Sequence, residues 1–288
     1  MLFRSRAGHT VRVDPAALNS DTRFAGTDLE RLEAIERAAR SGADATLISR
    51  GGYGLTRLLP NLPYTAIRQS IDRGLHWFGF SDFTAFQLAV LARTGRVTWA
   101  GPALCDSFGV NADSGVDDIT YDCFNDVLSE QGEGTGWRMG LKAARGLMSR
   151  KSGIWARNAQ LWGGNLTVLC SLLGTNYFPK IRGGVLFLED VGEHPYRIER
   201  LLSQLLHAGV LAQQKAIILG QFTEYRLTEH DQRFGMPTVL DWLRSQLKAP
   251  ILTDLPFGHV ATRVSLPVGA RVDLLVEGRD VMMVWGHL

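Results

Sequence analysis

Leu75-His76-Trp77-Phe78-Gly79-Phe80-Ser81-Asp82-Phe83-Thr84-Ala85 passes from an apolar run to helical spacing with no loop between them. Leu75 to Phe80 has the length of a buried strand, and Thr84 to Arg93 repeats apolar residues at helical spacing until Gly95 supplies a stop. Strand and helix alternate on both sides of this stretch. Upstream, Thr27-Asp28-Leu29-Glu30 reads as a capping box for a helix whose Leu29, Leu32 and Ile35 share a face up to Gly42. A strand, Ala45 to Ser49, follows, then the glycine loop Arg50-Gly51-Gly52-Tyr53-Gly54 and a short helix around Ile67 to Ile71. Downstream, Val97 to Ala100 is a further strand. The alternation predicts an α/β fold whose parallel sheet is covered by helices, with function at the loops beyond the strands' carboxyl ends.

From about Pro102 to Gly163 the pattern weakens, polar residues and glycine accumulate, and only Met139 to Met148 reads as helical. The second half resumes with a strand at Val185 to Leu188 and a helix carrying Ile198, Leu201, Leu202, Leu205 and Leu206 on one face, closed by Gly209. A strand at Ala216 to Leu219 and a final pair turning at Glu277-Gly278-Arg279-Asp280 make this half mixed rather than purely wound. The expected division is an N-terminal domain over 1–118, a connector over 119–158 and a C-terminal domain over 159–288.

A chain of 288 residues, 45% hydrophobic and 21% charged, is globular, and its formal charge of +2 excludes an acidic tail or a strongly basic nucleic-acid binder. The balance is uneven. No acidic residue occurs between Glu133 and Glu189, whereas Arg138, Lys142, Arg145, Arg150, Lys151, Arg157, Lys180 and Arg182 do, with Trp137, Trp155 and Trp162 among them. That stretch is either a solvated connector or a local field for anionic ligands. Nucleic acid is not expected, because its binders carry the excess across a whole domain. Three cysteines without CxxC spacing indicate neither a disulfide framework nor a zinc site, and no apolar run is long enough to span a membrane. A soluble cytoplasmic protein without metal or cofactor is expected.

Three groups can carry chemistry. Gly79-Phe80-Ser81-Asp82-Phe83 has the setting of a nucleophile elbow, with Phe83 where the second glycine of G-x-S-x-G belongs. There the Ser81 hydroxyl would stand at a helix N-terminus, with the Asp82 amide able to stabilise an oxyanion, although serine is also a preferred structural cap. Glu189 and Asp190 end an apolar strand, where a buried carboxylate needs a partner, either a salt bridge or a histidine to orient. Of the seven histidines, His259 alone joins a glycine-flanked loop just after an expected strand, Ile251 to Asp254. The Gly51-Gly52 loop can bind phosphate, complete an oxyanion hole or simply turn.

Arg50-Gly51-Gly52-Tyr53-Gly54 with Arg57-Leu58-Leu59-Pro60, Gly79-Phe80-Ser81-Asp82-Phe83-Thr84-Ala85, Gly101-Pro102, Gly163-Gly164-Asn165-Leu166, Leu188-Glu189-Asp190 and Gly258-His259 resemble, in order and spacing, the LD-carboxypeptidases. The resemblance covers about residues 8 to 288. It implies a Rossmann-like parallel-sheet N-terminal domain plus a mixed C-terminal domain with β-barrel character. It also implies a serine peptidase in which Ser81 is nucleophile, His259 base and later acid, and Glu189 the imidazole's partner. Backbone amides of Gly52 and Asp82 would form the oxyanion hole, and Tyr53 and Asn165 would contact substrate.

Members release the terminal D-alanine from L,D-linked muramoyl tetrapeptides in peptidoglycan recycling, without a metal and commonly as homodimers. A positive rim at Arg150 and Lys151 is then expected to gather anionic muropeptides. Two departures stand out. The strand and phosphate-loop-like turn with which members open are missing ahead of the segment resembling Ala7 to Val13, so the expectation is either a start upstream or a shortened variant whose sheet edge needs a partner. Ala100 stands where many members have histidine. The rival readings are a microcin-immunity-type peptidase, which cleaves a peptidyl-nucleotide amide, and a non-catalytic muropeptide-binding protein.

Overall fold

Thr27 opens α1 (Asp28–Ala39) with the reciprocal cap its sequence signals: its hydroxyl accepts the Glu30 N–H, and the Glu30 carboxylate accepts the Thr27 N–H. The structure is a computed structural model that describes residues 8–109, 115–145, 147 and 150–288. Ala7 and Met148, which end two of the expected segments, lie outside the described residues. β1 (Ala45–Leu47), α2 (Tyr64–Asp72), β2 (His76–Gly79), α3 (Phe83–Thr94) and β3 (Thr98–Ala100) follow α1 in the expected alternation. The three strands are parallel in the order β1-β2-β3, and β9 (Leu266–Val268) closes the sheet antiparallel to β3.

β1 is shorter than the apolar run Ala45 to Ser49. The carbonyls of Ile48 and Ser49 accept the amides of Leu104 and Cys105, which ends the strand pairing and starts the loop. α3 is buried at every position from Phe83 to Leu91. It packs between the two sheets against β3, β5 and β9, and a helix enclosed in this way needs no polar face. Phe83 stacks on Phe86 with ring centroids 4.6 Å apart, and each buried phenylalanine contributes roughly 1.5–3 kcal/mol. The element that follows Ser81 is therefore held rigidly.

The second sheet takes α4 (Asp118–Leu128), β4 (Gly134–Arg138), α5 (Leu141–Arg145), β5 (Gly153–Asn165), α6 (Leu166–Ser171), β6 (Val185–Val191), α7 (Pro195–His207), β7 (Ala216–Thr223), α8 (Met236–Gln246), β8 (Ile251–Leu252), β10 (Arg271–Glu277) and β11 (Asp280–Val284). Its seven strands run β4-β11-β10-β5-β6-β7-β8. Thirteen-residue β5 serves both halves, antiparallel to β10 along its first part and parallel to β6 from Leu161 to Asn165. The sheet rolls until its outer strands meet: Trp137 Nε1 donates to the Thr253 carbonyl at 2.9 Å, and the Gly140 N–H to Asp254 Oδ2 at 2.9 Å. This gives the barrel character.

The polar stretch that reads as a connector thus carries α4, β4 and the start of β5. β4 escaped notice because Gly134-Thr135-Gly136-Trp137-Arg138 buries one side chain, Trp137. Where a helix is expected over Met139 to Met148, the helix spans Leu141–Arg145.

Candidate active site

Ser81 sits at φ 61°, in the left-handed region that costs a non-glycine residue roughly 1–2 kcal/mol. β2 runs in and α3 runs out, so the turn that joins them must be this sharp. Two glycines make room for it. A Cβ at Gly79 would stand 2.5 Å from the Phe83 ring, and one at Gly51 would stand 2.6 Å from Ser81 Cβ. Phe83, the departure from the G-x-S-x-G pattern, therefore fills the space over Gly79 with its ring. The Phe83 and Thr84 amides donate to the Phe80 and Ser81 carbonyls. The Asp82 N–H meets its own carboxylate rather than a carbonyl of this turn. Gly52, at φ 143°, follows the residue packed against Ser81.

His259 Nε2 lies 3.0 Å from Ser81 Oγ, and His259 Nδ1 lies 2.8 Å from Glu189 Oε2. Glu189 is fully buried at the end of β6. As a carboxylate it accepts, so Nδ1 carries the proton and Nε2 is free to take one from Ser81. Behind Glu189, Asn165 Nδ2 donates to Glu189 Oε1 at 3.1 Å and to Asp190 Oδ1 at 3.0 Å, while Asn165 Oδ1 accepts the Val168 N–H. The alternative orientation of that amide would set its oxygen against two carboxylates, so the hydrogen bonds fix the assignment.

Consecutive strand residues normally face opposite ways, yet both carboxylates reach Asn165. The pairing of β6 with β7 slips between Leu188 and Asp190, and this irregularity turns them toward one partner. Burial pushes the Asp190 carboxyl above the usual range against the pull of Thr167, Val191 and Asn165, and the Glu189 charge adds to the rise. Burial likewise raises Asp82, opposed by His259 and Arg23.

The fold therefore gathers Ser81, Asp82, Glu189, His259 and the Gly51-Gly52 loop at one place. Tyr53 stands at its rim, exposed, with the Arg23 guanidinium 5.6 Å from its ring centroid. Asn165, expected to contact substrate, is buried with its amide bound to Glu189, Asp190 and Val168, so it holds the carboxylates rather than lining the opening. Three contributors escaped the sequence reading. Thr84 Oγ1 accepts the Asn165 N–H at 2.9 Å, and a Cβ at Gly164 would stand 2.4 Å from that oxygen. Thr167 binds Asp190 through its amide and hydroxyl. Arg263 is buried beside Phe80 and the His259 loop; a lone charge before the apolar Val264 to Val268 run was its only signal.

Arg150 and Lys151 do not rim this site. With Trp155, Lys215 and Lys248 they line a separate cavity of about 520 Å³ in front of β7 and β8, at the ends opposite His259. The expectation of a positive rim fails because the rolled sheet carries the start of β5 to the far side. Among the described residues no three His, Cys, Asp or Glu side chains are arranged to hold a metal ion, and no helix is long and apolar enough to cross a membrane.

Residues 1–101 match the family profile described as the LD-carboxypeptidase N-terminal domain, and residues 158–274 that of the LD-carboxypeptidase C-terminal domain. A "Probable murein peptide carboxypeptidase" of Bacillus subtilis is 30% identical over 275 residues, covering 94% of this chain and 81% of the relative. The microcin C7 self-immunity protein MccF of Escherichia coli is 26% identical over 306 residues, covering 99% of this chain and 87% of that protein. The crystal structure of muramoyltetrapeptide carboxypeptidase from Oxalobacter formigenes superposes with a TM-score of 0.81 at 36% identity, covering 93% of this chain and 88% of that one.

Proposed function

This chain belongs to the LD-carboxypeptidase family, and from that premise we propose that it is a serine carboxypeptidase releasing the terminal D-alanine from L,D-linked muramoyl tetrapeptides. The observation that carries the reading is the unbroken relay from Ser81 Oγ through His259 to Glu189, set on a left-handed turn at a helix N-terminus. Ser81 attacks the carbonyl on the L-residue side of the scissile amide while His259 Nε2 takes the hydroxyl proton. The Asp82 and Gly52 amides face the oxygen that gains charge. The carbon–nitrogen bond breaks, His259 passes its proton to the leaving amine, and D-alanine departs. Water, deprotonated by His259, then releases the acyl group and restores Ser81. Glu189 keeps the imidazole in the required tautomer and balances its charge in each half-reaction. The setting proposed is peptidoglycan recycling in the cytoplasm, by a homodimer.

A second reading, cleavage of a peptidyl-nucleotide amide, is favoured by the match of nearly the whole chain to the microcin self-immunity protein. The two part on substrate preference. Measured side by side, kcat/KM for D-alanine release from a UDP-linked muramoyl tetrapeptide is expected to exceed that for an aminoacyl sulfamoyl adenosine by at least about a hundredfold, a gap of 2–3 kcal/mol in transition-state binding. The reverse preference would replace the first reading with the second. Turnover of neither, with muropeptide binding retained, would assign a binding role.

A further inference from the structure

Arg263 is 4% exposed, and among the described residues no carboxylate forms an ion pair with it. Such a cation is costly to bury, and an apolar side chain would fill the same volume without that cost. Its hydrogen bonds point to its use. Nε donates to the Gly258 carbonyl at 2.8 Å and Nη2 to the Val260 carbonyl at 3.1 Å, the two carbonyls flanking His259. Nη1 donates to Ser107 Oγ at 2.8 Å, and the guanidinium carbon lies 3.7 Å from the centroid of the Phe80 ring. Phe80 immediately precedes Ser81, and its ring also meets the His259 ring at a centroid distance of 5.0 Å. One planar group thus grips the base loop on both sides of the imidazole and covers the residue that leads into the nucleophile.

We propose that Arg263 is a positioning residue of the reaction: its fork fixes the His259 loop against the Ser81 turn. This rests on the serine-peptidase reading of the site. The fork is essential because two carbonyls and a hydroxyl in different directions need a planar group with several donors, which a lysine ammonium does not supply. A small loosening of the Ser81–His259 separation is costly in rate, because the relay works only at hydrogen-bond distance. The charged and titratable groups facing His259 are Glu189 on β6, with Asp190 behind it, Ser81 and Asp82 on the nucleophile turn, and Arg263 on its own segment. Asp106, on the turn over 104–108, faces Arg263. Arg23 acts on Asp82 from the rim; removing the Arg263 cation removes the buried fixed positive charge of this set, which favours protonation of the imidazole.

The test uses the full chain and two readouts, D-alanine release from the tetrapeptide and the rate of Ser81 labelling by an organophosphorus fluoride. In labelling, the Ser81 Oγ–phosphorus bond forms, the phosphorus–fluorine bond breaks, fluoride leaves, and His259 takes the hydroxyl proton. Arg263→Lys is expected to lower kcat and the labelling rate about tenfold or more with KM little changed, and to keep the acid limb of the pH profile in place. Arg263→Met is expected to lose more and to move the acid limb to higher pH. Ser107→Ala, which removes one remote contact, is expected to cost a few-fold in both rates.

Wild-type labelling and pH profiles in Arg263→Met would overturn the proposal, as would a loss confined to melting temperature. If Arg263→Met does not fold, Arg263→Lys and Ser107→Ala decide the question, and wild-type rates in both would overturn it. Wild-type chain that labels but releases no D-alanine would refute the substrate reading alone, and the labelling rates would still judge Arg263.

Discussion

The two ends of the parallel strands β5 to β8 are built from opposite materials. At the carboxyl ends stand Asn165, Glu189, Asp190 and, past β8, His259, nearly all buried, with Asn165 bonded to both carboxylates and Glu189 to His259. At the amino ends, Arg150, Lys151, Lys215 and Lys248 surround an open cavity with Trp155, and two of them spend donors on backbone carbonyls of Lys248 and Arg157. Eight residues of β7 separate Lys215 from Thr223, whose hydroxyl meets the His259 carbonyl; at about 3.3 Å per residue the ends lie ~26 Å apart. The four cations of the cavity thus gather where the relay is not. Reactivity comes from a few groups removed from water and fixed by hydrogen bonds, whereas exposed cations more than a Debye length away, about 8–10 Å, are screened.

The contrast predicts a graded series. Ser81→Ala and His259→Ala each break the relay and should lower kcat by about 10³-fold or more, read as D-alanine release against total protein. Glu189→Gln keeps the shape but loses the charge and the tautomer preference; a fall of about 10³-fold is expected, and a loss under tenfold would show that the imidazole is oriented by something else. Asn165→Leu leaves two buried carboxylates facing each other without their shared donor, and should cost about ten- to a hundredfold in kcat with smaller change in KM. At the opposite end, Arg150→Glu with Lys151→Glu should leave kcat/KM at about 0.1–0.15 M ionic strength within about twofold. A large fall there would mean that the two ends communicate.

pH sharpens the same comparison. Burial holds the Asp190 carboxyl above its usual range, so the folded chain binds that proton more tightly than the unfolded chain does. Its contribution to stability is then most favourable in acid and declines as pH rises out of the ordinary carboxylate range. Asp190→Asn lacks this decline, so its melting temperature should gain on the wild type between about pH 4 and 7. A constant difference across that range would show that hydrogen bonds outweigh burial at Asp190.

Residues that punctuate the chain were the legible ones. Ser81 between a strand and a helix, Glu189 at the end of an apolar run and His259 beside a glycine are local signals, and the fold brings all three within hydrogen-bond reach. Asn165 was legible as a site residue but not in its use, because both carboxylates it holds lie on the next strand. Arg263, Thr84 and Thr167 act through contacts between segments far apart in the chain, which periodicity does not encode. β4 and the outer half of β5 escaped for a different reason: a rolled sheet lets glycine-rich, half-exposed strands pair with β11 and β10 without a clean two-residue alternation.

The measurement that bears most directly on the account is the mass of the wild-type chain and of Ser81→Ala after rapid mixing with the muramoyl tetrapeptide and acid quench, alongside the D-alanine released. The account predicts an added mass equal to the peptide less D-alanine, localised to Ser81, with D-alanine appearing at the same rate and neither signal in Ser81→Ala. D-alanine release that survives in Ser81→Ala would contradict it.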